Sequence, residues 1–299
     1  MKNEFRPIDE SASIIKEIVL PVFEIINNKI SPLGTSFVLS DDGLLMTAKH
    51  VIERHTQIKT LNIKNGLWQD VTGLYALYQS DIKHPDRDAF LGGPIPVVRI
   101  WFSKELDIAY LWLRSFSLDD KPFKFPACVK LNFDIPIIED FICAIGYHNS
   151  SGSEISTDKE KLFASLEQYS VQSSGRVKEI FSKYRDLGMY SFPCVQVDAR
   201  FEPGMSGGPI FTKNGTVCGI VCGSMSASNE EDYISYFSIL WPSLGTLIEI
   251  QNPNEDSKMV SVYDLCKLGK ISSDDSIDDF EVTVLENESA VRKKVSNSH

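Results

Sequence analysis

Short apolar runs separated by turn residues fill most of this chain, and they constrain its fold more than any other feature. Residues 18–52 read as strand-like runs with turn signals at residues 27–28, 32–34 and 41–43. Similar runs follow to about residue 240, and Asn214 with Gly215 marks a hairpin turn within one of them. Strands of this kind between Gly, Pro and Asn turns are typical of an all-β sandwich or barrel.

Signals for helix are few. The run DKEKLFASLEQYS (158–170) predicts a short helix within a loop, and WPSLGTLIEI (241–250) predicts a closing helix that begins near Pro242. Residues 79–97 are rich in turn residues and predict a long insertion loop. After residue 250 the chain is acidic and then basic, so this tail is expected either to be disordered or to dock as one added strand, FEVTVLE.

Composition excludes several classes of protein. The 299 residues are 42% hydrophobic and 24% charged, which is ordinary for a globular protein of one or two domains. The excess of 41 acidic over 30 basic residues argues against nucleic acid as a partner. No run of about 18 apolar residues is present, so no membrane partner is expected. The N-terminus lacks the apolar segment of a signal peptide, and a cytoplasmic location is therefore predicted.

The cysteines and histidines do not predict a metal site. Most cysteines lie in apolar strand-like runs and are expected to be small buried thiols in a reducing compartment. No group of His, Cys and Asp residues has metal-ligand spacing, so neither a metal nor an organic cofactor is expected. The cysteines are Cys128, Cys143, Cys194, Cys218, Cys222 and Cys266.

Three polar residues lie at the ends of strand-like runs. His50 follows a strand in MTAKHVI, Asp107 heads one in LDIAYLWL, and Ser206 lies among glycines in EPGMSGGPIF. A serine hydroxyl becomes a nucleophile when a histidine takes its proton and a buried carboxylate orients that histidine. Each motif alone is weak, because glycine loops and polar residues at strand ends are common. Their joint occurrence, in the chain order of chymotrypsin-like enzymes, predicts a catalytic triad.

These stretches resemble a trypsin-like serine protease, closest to the HtrA/Deg-type branch. GTSFVLSDDGLLMTAKHV is similar to the segment that carries the family's histidine, and LDIAYLWL to its aspartate strand. VDARFEPGMSGGPIF resembles the nucleophile loop, and VCGIVCGS the strand beside the specificity pocket. The resemblance covers about residues 19–250. It implies an all-β fold of two perpendicular six-stranded β-barrels, with a short C-terminal helix and an extra C-terminal tail.

The resemblance also implies domain boundaries. The N-terminal barrel would occupy residues 1–125, with an N-terminal extension at 1–18, and would carry His50 and Asp107. The C-terminal barrel would occupy residues 126–250 and carry Ser206, and residues 251–299 would form the tail. The family's PDZ domain is not expected, because too few residues follow the second barrel.

The roles implied for the motif residues are those of an endopeptidase that forms an acyl-enzyme on a protein or peptide substrate. His50 would be the base, Asp107 the residue that orients it, and Ser206 the nucleophile. The N–H groups of Gly204 and Ser206 would form the oxyanion hole, and the lack of a Cβ at Gly204 would keep that space open.

The resemblance places a specificity pocket beside the nucleophile. Arg200 would lie at its base and favour an acidic P1 side chain; alternatively it pairs with Asp198 or Glu202 and points away. The flanking wall would be Cys222, Gly223 and Ser224, whose backbone would pair with the substrate as an added strand.

Met205 stands where secreted digestive members carry an aspartate that pairs with a new N-terminus after cleavage. Activation by clipping is therefore not expected, and loop ordering or a regulatory protein partner is expected instead. One alternative is a latent enzyme or pseudo-protease that serves as a binding and regulatory scaffold. A second alternative is an esterase that uses the same triad.

Overall fold

The computed structural model describes two β-barrels followed by a folded C-terminal segment. The described residues are 4–8, 13–55, 67–69, 71–83, 90–118, 120–158, 161–163, 166–225, 233–250, 257–285 and 288–294. Within them the α-helices are α1 (Ser13–Ile18), α2 (Lys49–Glu53) and α3 (Val262–Lys267), with 3-10 helices at Trp241–Gly245 and Asp275–Asp279. The strands are β1 (Glu4–Pro7), β2 (Val19–Ile26), β3 (Lys29–Val38), β4 (Leu44–Thr47), β5 (Leu67–Gln69), β6 (Leu74–Lys83), β7 (Phe90–Phe102), β8 (Ala109–Leu113), β9 (Ser117–Leu118), β10 (Lys121–Pro122), β11 (Phe141–Gly152), β12 (Ser156–Asp158), β13 (Lys161–Phe163), β14 (Leu166–Phe181), β15 (Cys194–Val197), β16 (Pro209–Thr212), β17 (Val217–Met225), β18 (Ile234–Ile239), β19 (Leu247–Ile250), β20 (Lys258–Ser261), β21 (Phe280–Leu285) and β22 (Glu288–Lys293).

The first barrel is an antiparallel sheet of six strands in the order β7, β6, β2, β3, β4 and β8. Pairing between β7 and β8 closes it, and β5 adds a further strand on β7. The β2–β3 hairpin turns at Asn27 and Asn28, whose φ angles of 50° and 61° fit a two-residue type I′ turn. Asparagine tolerates this left-handed conformation better than most residues, so the sequence itself places the turn here.

The second barrel has the strand order β14, β11, β16, β17, β18 and β15. Pairing between the C-terminal half of β14 and β15 closes it, while β1 pairs with an earlier part of β14. Two closed six-stranded antiparallel barrels therefore carry the fold, as the family resemblance implies.

Each barrel encloses an apolar core, and the first core continues into the C-terminal segment. The second barrel buries its own cluster, which includes Ile142, Val197 and Phe237. The first-barrel cluster includes Leu244 and Phe280, which come from beyond the second barrel. The C-terminal segment therefore folds back from the second barrel onto the first.

The described part of the tail is ordered by this packing, and its strand β21 does not join a barrel. β21 pairs with β22 of the tail itself, with Val282 opposite Val291 and both partly buried against the first-barrel core. The expectation of a single added strand is wrong, because residues 288–293 supply a second strand in register with the first.

Three other local predictions differ from the structure. Within 158–170 the described residues form the end of β12, β13 and the start of β14, because pairing of β14 with β11 overrides the helical pattern. Residues 159–160 and 164–165 lie outside the described residues. Most of 79–97 forms the arms of the β6–β7 hairpin, and residues 84–89 lie outside the described residues. The closing helix is only one 3-10 turn, Trp241–Gly245, and β19 follows it.

No helix among the described residues has the length and apolar character needed to cross a membrane.

Candidate active site

Strand register brings His50 and Asp107 together. β4 and β8 pair with Thr47 opposite Ala109, so the end of β4 lies beside the start of β8. His50 follows β4 in the first turn of α2, and Asp107 precedes β8. Two residues that are 57 positions apart in sequence are therefore neighbours in space.

Both carboxylate oxygens of Asp107 contact His50. Asp107 Oδ2 lies 2.6 Å from His50 Nδ1, and Asp107 Oδ1 accepts the backbone N–H of His50 at 2.9 Å. Asp107 is only 8% exposed. A buried carboxylate that uses both oxygens on one histidine fixes the ring in a single orientation, with Nε2 on the opposite side from Asp107.

Ser206 lies in two consecutive turns that precede β16. Met205 N–H donates to the Glu202 carbonyl at 3.0 Å, and Gly208 N–H donates to the Met205 carbonyl at 2.9 Å. The third residue of each turn has positive φ, 98° at Gly204 and 85° at Gly207. A type II turn requires this conformation, and Pro203 fits the position before Gly204. We call residues 202–205 the oxyanion turn.

The glycines around Ser206 are required by close packing as well as by φ. A Cβ on Gly204 would lie 2.6 Å from the Tyr147 carbonyl oxygen. A Cβ on Gly207 would overlap the Thr35 carbonyl, and one on Gly208 would overlap the Ile145 carbonyl. The glycine at 204 therefore does more than keep space open for a substrate oxygen, because β11 leaves no room for a side chain.

Thr35 on β3 connects the nucleophile loop to the first barrel. Its Oγ1 donates to the Gly204 carbonyl at 2.8 Å and accepts the Tyr147 N–H at 3.0 Å. Its backbone N–H donates to the Ser206 carbonyl at 2.9 Å. Sequence reasoning did not identify Thr35; the only local signal was its place beside Gly34 in GTSF.

The Ser206 hydroxyl and the His50 ring line one cleft of about 610 Å³. In the structure Ser206 Oγ donates to the Cys222 carbonyl at 3.3 Å, and among the described residues it forms no hydrogen bond with His50. Ser206 is 7% exposed, so its hydroxyl has little alternative contact with solvent. Rotation about its Cα–Cβ bond is the change that would direct the oxygen toward the imidazole.

The amides predicted to form the oxyanion hole have no hydrogen-bond acceptor among the described residues. Within the described part of the chain, the N–H groups of Gly204 and Ser206 donate to no other protein group, whereas those of Met205, Gly207 and Gly208 all do. Met205 is fully buried in the second-barrel core, and its Sδ accepts the Glu202 N–H at 3.5 Å. Met205 thus anchors the residue before Ser206 in the apolar core.

The residues predicted for the specificity pocket separate into two groups. Cys222, Gly223 and Ser224 do line the cleft, whereas Arg200 does not. The Arg200 guanidinium forms an ion pair with Glu202, so the second of its two predicted arrangements is the one observed. The opposite wall carries Tyr190 and Phe192, which sequence reasoning did not identify.

Cys222 contacts both ends of the site. Its carbonyl accepts the Ser206 hydroxyl, and its side chain lies near Asp107. Burial, together with the nearby negative charge of Asp107, raises the pKa of the Cys222 thiol well above its ordinary value. All six cysteines are unpaired, and among the described residues no group of three His, Cys, Asp or Glu could hold a metal.

A second cavity of about 340 Å³ lies on the other side of the oxyanion turn. Phe23, Leu33 and Gly204 are among its lining residues, and Pro203 lines both cavities. The oxyanion turn therefore separates two recesses that together extend past Ser206.

Comparisons with known proteins identify the family of the chain. The sequence model of the family described as Trypsin-like peptidase domain matches residues 34–220, which include all three predicted triad residues. The chain is 32% identical over 136 residues to the Serine protease DegP homolog of Plasmodium falciparum (isolate 3D7). That alignment covers 45% of this chain and 13% of the relative, so the chain corresponds to a small part of that protein.

Two solved structures are similar over most of the chain. The MamO protease domain from Magnetospirillum magneticum (apo form) has 12% identity and a TM-score of 0.43, covering 76% of this chain and 93% of that one. The active form of the Rv3671c protease from M. tuberculosis has 16% identity and a TM-score of 0.42, covering 78% and 83%.

The resemblance to HtrA/Deg-type proteases is confirmed by the family match and by the DegP homolog. The family model matches more than half of this chain, so the chain belongs to the trypsin-like peptidase family and is a serine peptidase.

Proposed function

We propose that this chain is an endopeptidase in which His50, Asp107 and Ser206 form the catalytic triad. The observation that carries the proposal is the double contact of the Asp107 carboxylate with His50, beside the cleft that contains Ser206. An imidazole held in this way presents Nε2 for proton transfer and is stabilised when it becomes positively charged.

The reaction follows from these positions. Ser206 Oγ rotates away from the Cys222 carbonyl, loses its proton to His50 and attacks the scissile carbonyl carbon. The N–H groups of Gly204 and Ser206 stabilise the oxyanion that forms. His50 then protonates the leaving amine as the C–N bond breaks, which leaves an ester on Ser206. Water, deprotonated by His50, hydrolyses this ester and restores the enzyme.

An extended protein or peptide substrate fits the two recesses. One side of the scissile bond would occupy the cleft walled by Tyr190, Phe192 and Gly223, and the other side the cavity walled by Phe23 and Leu33. The backbone of β17 near Gly223 would pair with the substrate, as the family resemblance implies.

We propose regulation by loop ordering or by a protein partner, since Met205 provides no charge for a new N-terminus to pair with. The six unpaired thiols support a reducing, cytoplasmic setting. Neither nucleic acid nor a membrane is part of the proposal, and neither is a metal or cofactor.

The test is labelling with a fluorophosphonate probe combined with cleavage profiling on a peptide library. Ser206→Ala is expected to abolish both activities while the circular dichroism spectrum and the melting temperature stay close to wild type. Cys222→Ala is the matched control, because it removes the thiol that lines the same cleft beside Ser206. Labelling that persists in Ser206→Ala would exclude Ser206 as the nucleophile.

One observation favours the alternative of a latent enzyme that acts as a scaffold: Ser206 is hydrogen-bonded to Cys222 and not to His50. A latent enzyme would label only after a partner is added, whereas a pseudo-protease would never label and would capture a stable partner. Apo sites of active enzymes also relax in this way, so labelling of the purified chain decides between the two.

A further inference from the structure

The N-terminal strand β1 lies outside the closed part of the second barrel. Residues 177–181 of β14 pair with β15 and close the barrel, whereas β1 pairs with residues 171–174 of β14. β1 is held in place by four paired residues and by one further hydrogen bond, in which Ile8 N–H donates to the Ser170 carbonyl at 3.0 Å. β1 can therefore detach from β14 without opening the barrel.

Phe5 of β1 contacts Arg200, which lies two positions before the oxyanion turn. The Arg200 guanidinium lies 4.7 Å from the centre of the Phe5 ring and 5.5 Å from that of Tyr233. Arg200 thus lies between two aromatic rings and directs its Nε toward the Glu202 carboxylate. A cation held by rings and a carboxylate loses much of its freedom to rotate.

A second contact links Phe5 to the same turn. The Phe5 ring packs edge-on against His148 with centroids 5.8 Å apart. The backbone at Tyr147 and His148 is the surface on which Gly204 rests. Phe5 also packs against the buried cluster that contains Met205. One side chain of β1 therefore supports the oxyanion turn from two directions.

The turn needs such support because glycine does not fix its own conformation. Gly204 adopts φ of 98° here, but glycine adopts negative φ about as readily. Rotation of the Pro203–Gly204 peptide unit to a type I turn would direct the Gly204 N–H away from the substrate oxygen. Contacts to the flanking residues, such as Glu202, then decide which form is populated.

We propose that β1 is an intramolecular latch that holds the oxyanion turn in its productive form through Phe5, Arg200 and Glu202. Arg200 is then a positioning residue and not a substrate ligand. The inference rests on the proposed function, because it assigns the turn a catalytic role. A partner that stabilises the pairing of β1 with β14 would raise activity, and a partner that displaces β1 would lower it.

The test uses Phe5→Leu, which keeps an apolar side chain but removes the ring face, and Phe5→Tyr, which keeps the ring. Phe5→Leu is expected to lower kcat roughly 3- to 10-fold with KM within about twofold, and Phe5→Tyr to restore kcat. The substrate is the best p-nitroanilide from the library profile. Arg6→Gln is the control, because Arg6 lies on the same strand and contacts Glu4 and Gln172 instead of the turn.

Two further measurements separate a latch from a general loss of stability. In an Arg200→Met background, which should itself lower kcat, Phe5→Leu is expected to have a smaller effect than in the wild type, since the contact between Phe5 and Arg200 is already lost and only the packing of Phe5 on His148 remains. Hydrogen exchange measured by mass spectrometry should accelerate in residues 201–208 of Phe5→Leu and stay unchanged in Arg6→Gln.

The outcomes distinguish the two proposals. A wild type that does not label, either alone or with cell extract added, rejects the proposed function, while hydrogen exchange still decides whether β1 restrains the turn. An active wild type whose kcat and exchange are unchanged by Phe5→Leu overturns the latch and leaves the triad standing. A loss confined to KM or to the melting temperature also overturns it.

Discussion

Replacing Thr35 with valine tests whether the two barrels are joined through the nucleophile loop. Valine has nearly the shape of threonine, so the packing of β3 is kept. The hydroxyl that donates to the Gly204 carbonyl and accepts the Tyr147 N–H is lost. Thr35 is fully buried, so water does not replace it easily.

The magnitude follows from the groups left without a partner. A buried polar group that loses its hydrogen bond costs about 1–3 kcal/mol. With two such groups, at Gly204 and Tyr147, the free energy of unfolding should fall by about 2–6 kcal/mol. Thr35→Ser is the matched control: it keeps the hydroxyl, loses one methyl group and should cost about 1 kcal/mol.

Urea unfolding followed by circular dichroism measures this difference. The experiment is best done in a Ser206→Ala background, where self-cleavage cannot distort the transition. In the active background, Thr35→Val should also lower kcat more than Thr35→Ser, because the Gly204 carbonyl belongs to the oxyanion turn. Equal stability of the two variants would refute the idea that this hydroxyl links the barrels.

Four other outcomes are expected. Asp107→Asn should lower kcat/KM by about 10³–10⁴ in peptide hydrolysis with little change in melting temperature, because an amide N–H₂ would face the imidazole nitrogen that Asp107 Oδ2 now contacts. Gly207→Ala should destabilise by about 4 kcal/mol or more in urea unfolding, since its Cβ would overlap the first barrel. Gly215→Ala, also at positive φ but with open space around it, should cost only about 1–2 kcal/mol. Burial lowers the pKa of His55 from its ordinary 6.5, against the opposing charge of Glu24. As the pH falls below 6.5, the unfolded chain binds more protons than the folded chain. The free energy of unfolding should therefore decrease by up to about 1.4 kcal/mol for each pH unit that the pH is lowered, and His55→Gln should flatten this dependence.

The features that the sequence predicts well are those fixed by local backbone chemistry. The pair Asn27–Asn28 specifies a two-residue turn, and Pro203 followed by Gly204 favours a tight turn in which the positive φ observed at Gly204 is accessible. The placement of His50 and Asp107 beside one another follows from strand-end motifs plus the order in which barrel strands pair.

The features that were missed depend on partners distant in sequence. The run 158–170 has a helical appearance, but β11 supplies a strand edge that only the fold reveals. Thr35 lies 169 positions from Gly204, and Phe5 is still further from Arg200, so nothing near either residue announces its role. The sequence left the direction of the Arg200 side chain open for the same reason. It was compatible both with an ion pair to a nearby acidic residue, which is observed with Glu202, and with a side chain that points into the specificity pocket.

The oxyanion turn is held from three directions, and these differ in how easily they can be changed. Met205 is fully buried in the second-barrel core, and Thr35 is fully buried between the barrels. Neither contact can be released without a large loss of stability. The Arg200 and Glu202 side chains are 39% and 21% exposed, and the strand behind them is only four residues long. Contacts of this kind have small free energies and are screened by solvent. Under the proposed latch, a binding partner would control the peptidase through the contact of β1 with Arg200 and the ion pair of Arg200 with Glu202, side chains that are more exposed to solvent than Met205 and Thr35.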